Sequence, residues 1–483
     1  MAKARAALAE CDSRRQAVER ENNRLRAELR EREREIERQK SASPLKELPL
    51  GVPARGQSYP VGMVTLSVNL ARKIGLRPTV TVLQIVFDWL QVPCEIPCYQ
   101  TIRNWMQRIG LDRMQQAERV TDGIWLVDHS MQIGTEKVLV VLRVRESRLP
   151  SQRTPLRHED VELLCCQPGK QWKREDVFAV YQRLAAQYGH PVSVLTDGAV
   201  ELREPAAMLK NKGQSPLVIR DLKHFLANRL EALLTRNASW QEFMAHMGQT
   251  RAAVQQTEMA HFTAPSLKQK ARFMNLQPLL TWANVILWHL GHSASQARHG
   301  VQPDRMESKF GWLRSFEPLI KQWQECQNVI SMALTFFNKN GVFRGSALAF
   351  RRKVVGQLRD PISRQLLLDT VQFLRTIENN LRIGQRMPVS TEILESAFAS
   401  YKQLEQQHAK GGFTSLLPAF GALLVSTTPE EVTQSFARVK VMDVRRWLKT
   451  NLSDTLTSRR QTAYREALGK KNTKRATQMG AAA

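Results

Sequence analysis

The stretch GIWLVDHSMQIG, residues 123–134, is the part of the sequence that decides the fold. Residues 124–127 form an apolar run typical of a buried strand, and Asp128 ends that run. The stretch VLTDG, residues 194–198, repeats the pattern, with Asp197 standing before a glycine. A carboxylate at the end of a buried strand needs a partner or a chemical role. Ligands bind at strand ends in an α/β sheet, so the two aspartates predict one shared site.

The flanking segments complete a single sheet with helices. An amphipathic helix is expected at about 174–188, between two groups of strands. The elements follow the order three strands, helix, strand, helix, strand, which is the order of a ribonuclease H-like core. The further strand-like runs are KVLVVLRV (137–144), VELLCC (161–166), VSVLTDG (192–198) and PLVIRD (216–221).

Two carboxylates placed close together repel each other unless a positive charge lies between them. Magnesium suits such a place, because it prefers a few carboxylate oxygens together with water and phosphate. Taken singly, Asp128 and Asp197 are each also compatible with an ordinary strand-end cap. The pair in this strand order favours a metal site, which a third carboxylate should complete.

Several motifs of the sequence resemble those of the DDE transposases of bacterial insertion sequences. These enzymes have a ribonuclease H-like catalytic domain and, in some members, a large helical insertion. The resemblance covers most of residues 60–425, and its most specific part is the final motif. The motifs are YQTIRNWMQRIGL (99–111), IWLVDHS (124–130), VLTDG (194–198), RDLKH (220–224) and LESAFASYKQLEQQHAKGGFTSLL (394–417).

By this resemblance, Asp128, Asp197 and Glu395 are the catalytic acids and hold two Mg²⁺ (or Mn²⁺) ions. The resemblance also makes Asp221 and His224 of the RDLKH motif further candidates for the site. It implies a DNA transposase that cleaves transposon ends in a metal-dependent reaction and transfers the freed strand into target DNA. The long interval between the second and third acids is explained by a helical insertion over residues 222–390.

Other residues compete for the third acidic position. Glu307 is followed seven residues later by Arg314, and Glu317 and Glu392 are further alternatives. We prefer Glu395 because Lys402 follows it with the E-x6-K spacing of many such transposases, where the ammonium group can hold a DNA phosphate. The sequence departs mildly from the pattern, since ASYK stands where related sequences often have a glycine before the lysine.

The segment before the core has the pattern of a DNA-reading helix. Within residues 99–111, Ile102, Trp105 and Ile109 share one face and are expected to face inward. The opposite face carries side chains that reach bases and phosphates in a major groove, so we predict a helix-turn-helix domain. An ordinary helical subdomain with a polar face is the alternative. The DNA-binding candidates on that face are Arg103, Asn104, Gln107 and Arg108.

The first 40 residues have a heptad pattern within one long helix. Leu8, Leu29 and Ile36 fall at position a, Val18 and Leu25 fall at position d, and an asparagine also occupies an a position. This pattern indicates a short dimerising coiled coil, and a solvated charged helix is the alternative. Because transposition pairs two DNA ends, we expect a homodimer or a higher oligomer.

The chain is strongly basic, with a formal net charge of +26 and a pI near 10.2. This charge favours a nucleic acid partner, and the resemblance to the transposases implies double-stranded DNA. The absence of an 18-residue apolar run and of an N-terminal hydrophobic core predicts a cytoplasmic, nucleoid-associated protein without a membrane partner. Two functions remain as alternatives: a non-catalytic DNA-binding regulator derived from a transposase, and a ribonuclease H-like nuclease without transposition.

The sequence thus predicts an α/β ribonuclease H-like core with a large all-α insertion, preceded by helical segments. The predicted divisions are a coiled coil (1–40), a linker (41–60), a helix-turn-helix domain (61–118), the first part of the core (119–221), the all-α insertion (222–390), the catalytic-glutamate helix of the core (391–430) and a basic tail (431–483).

Overall fold

A computed structural model describes residues 2–42, 50–54, 56–133, 136–149, 155–266, 272–292, 302–406, 413–452, 460 and 462–467. The chain forms two compact units. We call Met1–Asp112 with Ser400–Leu448 the helical unit, and Arg113–Ala399 with Lys449–Ala483 the sheet unit. None of the helices in the described ranges is long and apolar enough to cross a membrane.

The sheet unit contains a five-stranded mixed sheet in the order β3-β2-β1-β4-β5. The strands β1 and β2 pair antiparallel, as do β2 and β3, whereas β4 runs parallel to β1 and to β5. The predicted strands and their order are confirmed, and the sheet is compatible with a ribonuclease H-like core. The strand bounds are Gly123–Ile133 (β1), Glu136–Arg145 (β2), Glu162–Gly169 (β3), Ser193–Thr196 (β4) and Leu217–Arg220 (β5).

The sequence of β1 explains its central position. Ile124, Trp125, Leu126 and Val127 are all fully buried, so both faces of the strand are covered. On one face, Trp125 meets Tyr181 edge to face, with ring centroids 5.8 Å apart. Tyr181 belongs to the predicted amphipathic helix, which packs on this face and spans Arg174–Tyr188. Burial of this apolar face fixes the register of the strands that carry the candidate site.

One connecting helix and a set of helices after β5 complete the sheet unit. One helix, Val200–Met208, connects β4 to β5. After β5 the chain is helical, as predicted for the insertion, and its core includes Trp240, Phe243 and Trp323, which contact one another edge to face or stacked. In chain order, the helices of this unit are Arg174–Tyr188 (α5), Val200–Met208 (α6), Leu222–Leu234 (α7), Ala238–Val254 (α8), Gln277–Gly291 (α9), Pro303–Phe310 (α10), Glu317–Asn340 (α11), Ser346–Val354 (α12) and Pro361–Glu378 (α13).

The helical unit contains the N-terminal helices and the segment that follows residue 400. Gly110 lies against the backbone of Pro418 and Ala419 so closely that a side chain at this position would clash with them. The glycine therefore permits the later segment to pack on α4. The helices with residues in this unit are Ala2–Ala42 (α1), Val61–Ile74 (α2), Leu76–Trp89 (α3), Tyr99–Gln115 (α4), Glu392–Gln406 (α14), Phe420–Leu424 (α15), Pro429–Arg438 (α16) and Val441–Asn451 (α17).

Several predicted segments fall partly outside the described residues. Positions 43–49 and 55 of the predicted linker and positions 407–412 of the final motif lie outside them. The predicted basic tail is helical in α17, and residues 453–459, 461 and 468–483 lie outside the described ranges. The long N-terminal helix is confirmed as α1, whereas its pairing as a coiled coil stays a prediction.

Candidate active site

The register of the central strands brings the two predicted aspartates to one edge of the sheet. Val127 of β1 pairs with Thr196 of β4 in a parallel ladder, so Asp128 and Asp197 are the next residues of the two chains. Neighbouring strands lie ~4.8 Å apart. Asp128 is 5% exposed, and Asp197 is half-buried and accepts a hydrogen bond from the Ala199 amide at 2.8 Å. The prediction that these carboxylates share an edge fits this register.

The glycine of the VLTDG motif shapes the loop that holds Asp197. Gly198 has a φ of +95°, a backbone conformation that residues with a side chain rarely adopt. The Arg220 side chain lies where a Cβ of residue 198 would point. A glycine here therefore allows the chain to turn immediately after Asp197 and leaves room for the arginine of the neighbouring strand.

Asp221 follows β5 and is buried at 1% exposure. It caps α7 by accepting hydrogen bonds from the amide of His224 at 2.8 Å and from its Nδ1 at 2.9 Å. Its other oxygen accepts from the amide and the hydroxyl of Thr391 at 2.7 and 3.0 Å. Burial acts to raise the pKa of Asp221, but these hydrogen bonds and the charge of His224 outweigh it and lower the pKa. Asp221 is thus an ionised anchor between two distant segments.

This anchor positions the third predicted acid. Thr391 immediately precedes α14, and the amide of Leu222 also donates to the carbonyl of Val389 at 2.8 Å. Glu395 lies in the first turn of α14, where its Oε2 accepts from Nζ of Lys223 at 2.9 Å. The chain therefore returns from the insertion to the end of β5, and the role of Glu395 as the third acid stays a prediction.

His224 lies within electrostatic range of three carboxylates. Burial acts to lower the pKa of His224, but the hydrogen bond and charge of Asp221 and the charges of Asp197 and Glu395 raise it above its ordinary value of 6.5. The imidazole therefore stays protonated up to a higher pH than a free histidine.

The alternative candidates for the third acid, Glu307, Glu317 and Glu392, have surroundings that differ from those of Glu395. Glu307 forms an exposed ion pair with Arg314 at 3.0 Å, and Glu317 forms another with Lys321 at 2.8 Å. Glu392 lies closer to the candidate site than Glu307 and Glu317 do. Burial and the charges of Asp221 and Glu395 raise the pKa of its carboxyl group. Its Oε2 accepts from Nδ2 of Asn338 at 2.9 Å.

Three residues of this region have partners that were not predicted from the sequence. Lys223 stands inside the RDLKH motif, but its partner Glu395 is separated from it by 172 residues. Thr391 binds Asp221 across a similar interval. Beside Asp128, His129 is buried and its Nε2 lies 3.0 Å from Glu201 at the start of α6. In the sequence, the only sign of these residues is that they lie inside or next to the quoted motifs.

The carboxylate oxygens of the candidate site are suitable ligands for a divalent cation. The described side chains are not, however, arranged around a single ion position. Asp128 and Asp197 supply hard carboxylate oxygens at adjacent strand ends, as Mg²⁺ and Mn²⁺ prefer. The carboxylate of Glu395 is engaged by Lys223. Within the described residues, no group of three or more histidine, cysteine, aspartate or glutamate side chains is placed to hold a metal ion.

The predicted DNA-reading helix requires a correction. Gln107 and Arg108 were expected on an outward polar face, yet both are 4% exposed. Gln107 donates to the carbonyl of Ser415. Arg108 donates to the carbonyls of Val439 and Phe436 at 2.8 and 3.0 Å, and burial lowers its pKa to about 10. The expectation was wrong for these two residues because the segment after residue 400 covers that face of α4.

The other predicted DNA contacts have different surroundings. Arg103 and Asn104 are half-buried on α4, within the helical unit. Lys402 is exposed and lies in α14, the helix that also carries Glu395. These three residues remain DNA-binding predictions.

No protein-family model matches this sequence, and no curated protein matches it. Among solved structures, the chain is similar to one described as the Drosophila P element transposase strand transfer complex. The sequence identity is 10%, the match covers 83% of this chain and 99% of that chain, and the TM-score is 0.38. A likeness with this TM-score carries no conclusion about fold or activity.

The raised pKa of His224 predicts a pH-dependent stability. Protonation favours the folded state, so the stabilisation is fully present below about pH 6.5 and is lost as the pH rises through the raised pKa. H224Q removes this titration. Melting temperatures measured at about pH 6 and pH 8.5 should therefore differ more between wild type and H224Q at the lower pH.

H246Q is the control variant: His246 is half-buried, its Nε2 lies 3.9 Å from Glu242, and its ring stacks on Trp312. The account of the His224 environment is wrong if H224Q and H246Q change the melting temperature equally at both pH values.

Proposed function

We propose that this protein is a DDE-type DNA transposase that uses Asp128, Asp197 and Glu395 in metal-dependent DNA phosphoryl transfer. The observation that supports this most strongly is the course of the chain at the ends of β1, β4 and β5. Asp128 and Asp197 follow paired positions of adjacent parallel strands, and the Asp221–Thr391 contact returns Glu395 to the neighbouring strand end. The strongly basic composition agrees with a DNA substrate.

The proposed cofactor is Mg²⁺ or Mn²⁺, as two ions held by Asp128, Asp197 and Glu395. Such ions supply Lewis-acid activation of the attacking oxygen and stabilisation of the leaving oxygen. The protein side chains then have three tasks. The carboxylates concentrate negative charge at the sheet edge, the packed strands fix that edge, and the Asp221 anchor sets the position of α14.

Positive side chains beside the acids would hold the DNA backbone. His224 is protonated over a wider pH range than a free histidine, and Lys223 carries its charge in the same first turn of α7. Lys402 of α14 is exposed and would add a further phosphate contact. The nucleophile would be water or a DNA 3′-hydroxyl, so the chain needs no serine or tyrosine nucleophile.

Neutralising the acids tests the proposed reaction. D128N, D197N and E395Q should each reduce Mg²⁺-dependent end cleavage and joining by more than about 100-fold, because each removes a charged ligand. The substrate is a plasmid carrying the DNA that flanks the coding sequence on both sides, with products resolved on gels. E307Q is the matched control, since Glu307 lies in α10 and pairs with Arg314.

Wild-type activity in E395Q together with its loss in E307Q would move the third acid to Glu307. A second candidate function is a DNA-binding regulator without catalysis, favoured by the pairing of Glu395 with Lys223. DNA binding without metal-dependent products in wild type would support that regulator. Cleavage without strand joining would support a nuclease.

We further propose that the helical unit recognises double-stranded DNA through the part of α4 that remains accessible. A helix-turn-helix role for residues 61–118 stays a proposal, with Arg103 and Asn104 as the reading residues. Gln107 and Arg108 act instead within the fold, because they hold the segment after residue 400. The basic tail would add salt-dependent contacts to phosphates, which would place the protein at the nucleoid.

Paired variants separate the two roles on α4. The double variant R103A/N104A should weaken binding to the flanking-DNA duplex about tenfold, with an unchanged melting temperature. R108A should instead destabilise the protein by at least about 2 kcal/mol, since it leaves two buried carbonyls without a donor. Fluorescence anisotropy and thermal unfolding measure the two effects. Equal DNA affinity in R103A/N104A and wild type would remove this helix from DNA recognition.

Oligomerisation is proposed to occur through α1. Four apolar side chains at heptad positions, Val18, Leu25, Leu29 and Ile36, are 50–61% exposed along this helix. In a parallel pair of helices such side chains would be buried against their equivalents. L25D/L29D should therefore convert a dimer to a monomer in analytical ultracentrifugation. R26A/R30A, one position further along, is the control, and a monomeric wild type would refute the coiled coil.

A further inference from the structure

Three arginine side chains converge where β5 ends, beside the loop that carries Asp197. Arg220 is the last residue of β5 and pairs with the last residue of β4 in the parallel ladder. Because side chains alternate along a strand, Arg220 lies on the same face of the sheet as Val218, and that face is covered by α5 and α6. Arg203 belongs to α6, which contacts β5, and Arg229 belongs to α7. The fold therefore brings one arginine from each of three elements to this strand end.

An aromatic ring holds two of these arginines close to each other. The Cζ atom of Arg220 lies 5.9 Å from the centroid of the Phe225 ring, and that of Arg229 lies 5.5 Å from it. Phe225 is buried and stacks on Phe373 of α13 with a centroid distance of 4.0 Å, so the insertion fixes the ring. Gly198 leaves the space that the Arg220 side chain occupies. Contacts between a cation and a ring place the guanidinium groups without neutralising their charge.

The three charges repel one another, and the nearby acids offset this repulsion only in part. Burial lowers the pKa of Arg220, and the charges of Arg203 and Arg229 lower it further, whereas the charges of Asp197 and Asp221 act in the opposite direction. Asp221 already binds the segments that begin α7 and α14. The Nε atom of Arg220 is buried and has no hydrogen-bond partner within the described residues. An anion at this place would accept from that donor and relieve the repulsion.

The two outer arginines, Arg203 and Arg229, are exposed to solvent. Within the part of the chain that the structure describes, neither side chain forms an ion pair. The acids on either side of Arg203 in α6 are engaged elsewhere, because Glu201 lies 3.0 Å from His129 and Glu204 pairs with an arginine of α5. Both guanidinium groups are therefore available to an anion from outside the chain.

We propose that Arg203, Arg220 and Arg229 form a binding site for one phosphate group of the DNA backbone. Guanidinium groups bind phosphate oxygens in a bidentate geometry, and a phosphate between the three would offset their repulsion. The exposure of the outer arginines and the net charge of +26 favour a phosphate that belongs to a long polyanion. This inference rests on the proposed function, because the arginines would hold a DNA strand beside Asp197.

Charge removal at the two exposed arginines tests the site in the full-length protein by fluorescence anisotropy. R203Q/R229Q should bind the flanking-DNA duplex about three- to tenfold more weakly than wild type, and the slope of log affinity against log salt should fall in magnitude by about one to two. Its melting temperature should not change, because both side chains are exposed. R351Q/R352Q is the matched control, since it removes two exposed arginines of α12 in the same unit. Equal losses in the two double variants would reduce the effect to net charge and overturn the site.

A second experiment changes the DNA rather than the protein. Duplexes that each carry one neutral methylphosphonate are scanned across the flanking sequence. At least one position should weaken wild-type binding about threefold or more and leave R203Q/R229Q unaffected, because the variant has already lost that contact. A scan in which every position weakens wild type and variant equally would overturn the inference. Competition by inorganic phosphate at constant ionic strength, seen in wild type but not in the variant, would assign the site to a free anion instead.

End-cleavage assays separate failure of this inference from failure of the proposed function. Cleavage by wild type, together with equal DNA binding in R203Q/R229Q and wild type, keeps the proposed function and overturns the phosphate site. Weaker binding in R203Q/R229Q without any cleavage by wild type keeps the phosphate site and overturns the proposed catalysis. A wild-type protein that does not bind the duplex overturns both.

Discussion

The carboxylate of Asp221 is the contact on which the candidate site depends. It accepts hydrogen bonds from His224 at the start of α7 and from Thr391 just before α14. The insertion leaves the sheet at the first of these points and returns at the second. A buried, ionised carboxylate is costly unless its oxygens are satisfied, so both segments have to meet at the end of β5 for the fold to be stable. This contact brings the start of α14, which carries Glu395, to the end of β5.

The sheet could be predicted because its signal is local. The buried run at residues 124–127 and the run before Asp197 each show in a few neighbouring residues, and the confirmed strand order follows from such runs. The placement of Glu395 near β5 came from a resemblance between motifs rather than from periodicity. The lysine that pairs with it could not be predicted, since a motif does not show which distant residue its charge will meet.

The wrong prediction for Gln107 and Arg108 of α4 also arose because a distant segment of the chain determines their surroundings. Amphipathic spacing correctly places Ile102, Trp105 and Ile109 in the interior, where all three are buried. The spacing cannot show that another segment of the chain will cover the polar face of α4. The segment that does so contacts Arg108 from 328 and 331 residues away. Buried polar side chains that hydrogen-bond within the fold look, in a sequence, like side chains that are free to bind DNA.

The most direct test of the central claim is a crystal structure of the full-length protein with Mn²⁺, using the anomalous signal of the metal. The account predicts an anomalous peak at the edge of the sheet, with oxygen atoms of Asp128, Asp197 and Glu395 about 2.1 Å from a metal ion. A peak held by Glu307, or no peak beside Asp128 and Asp197 at saturating Mn²⁺, would contradict it.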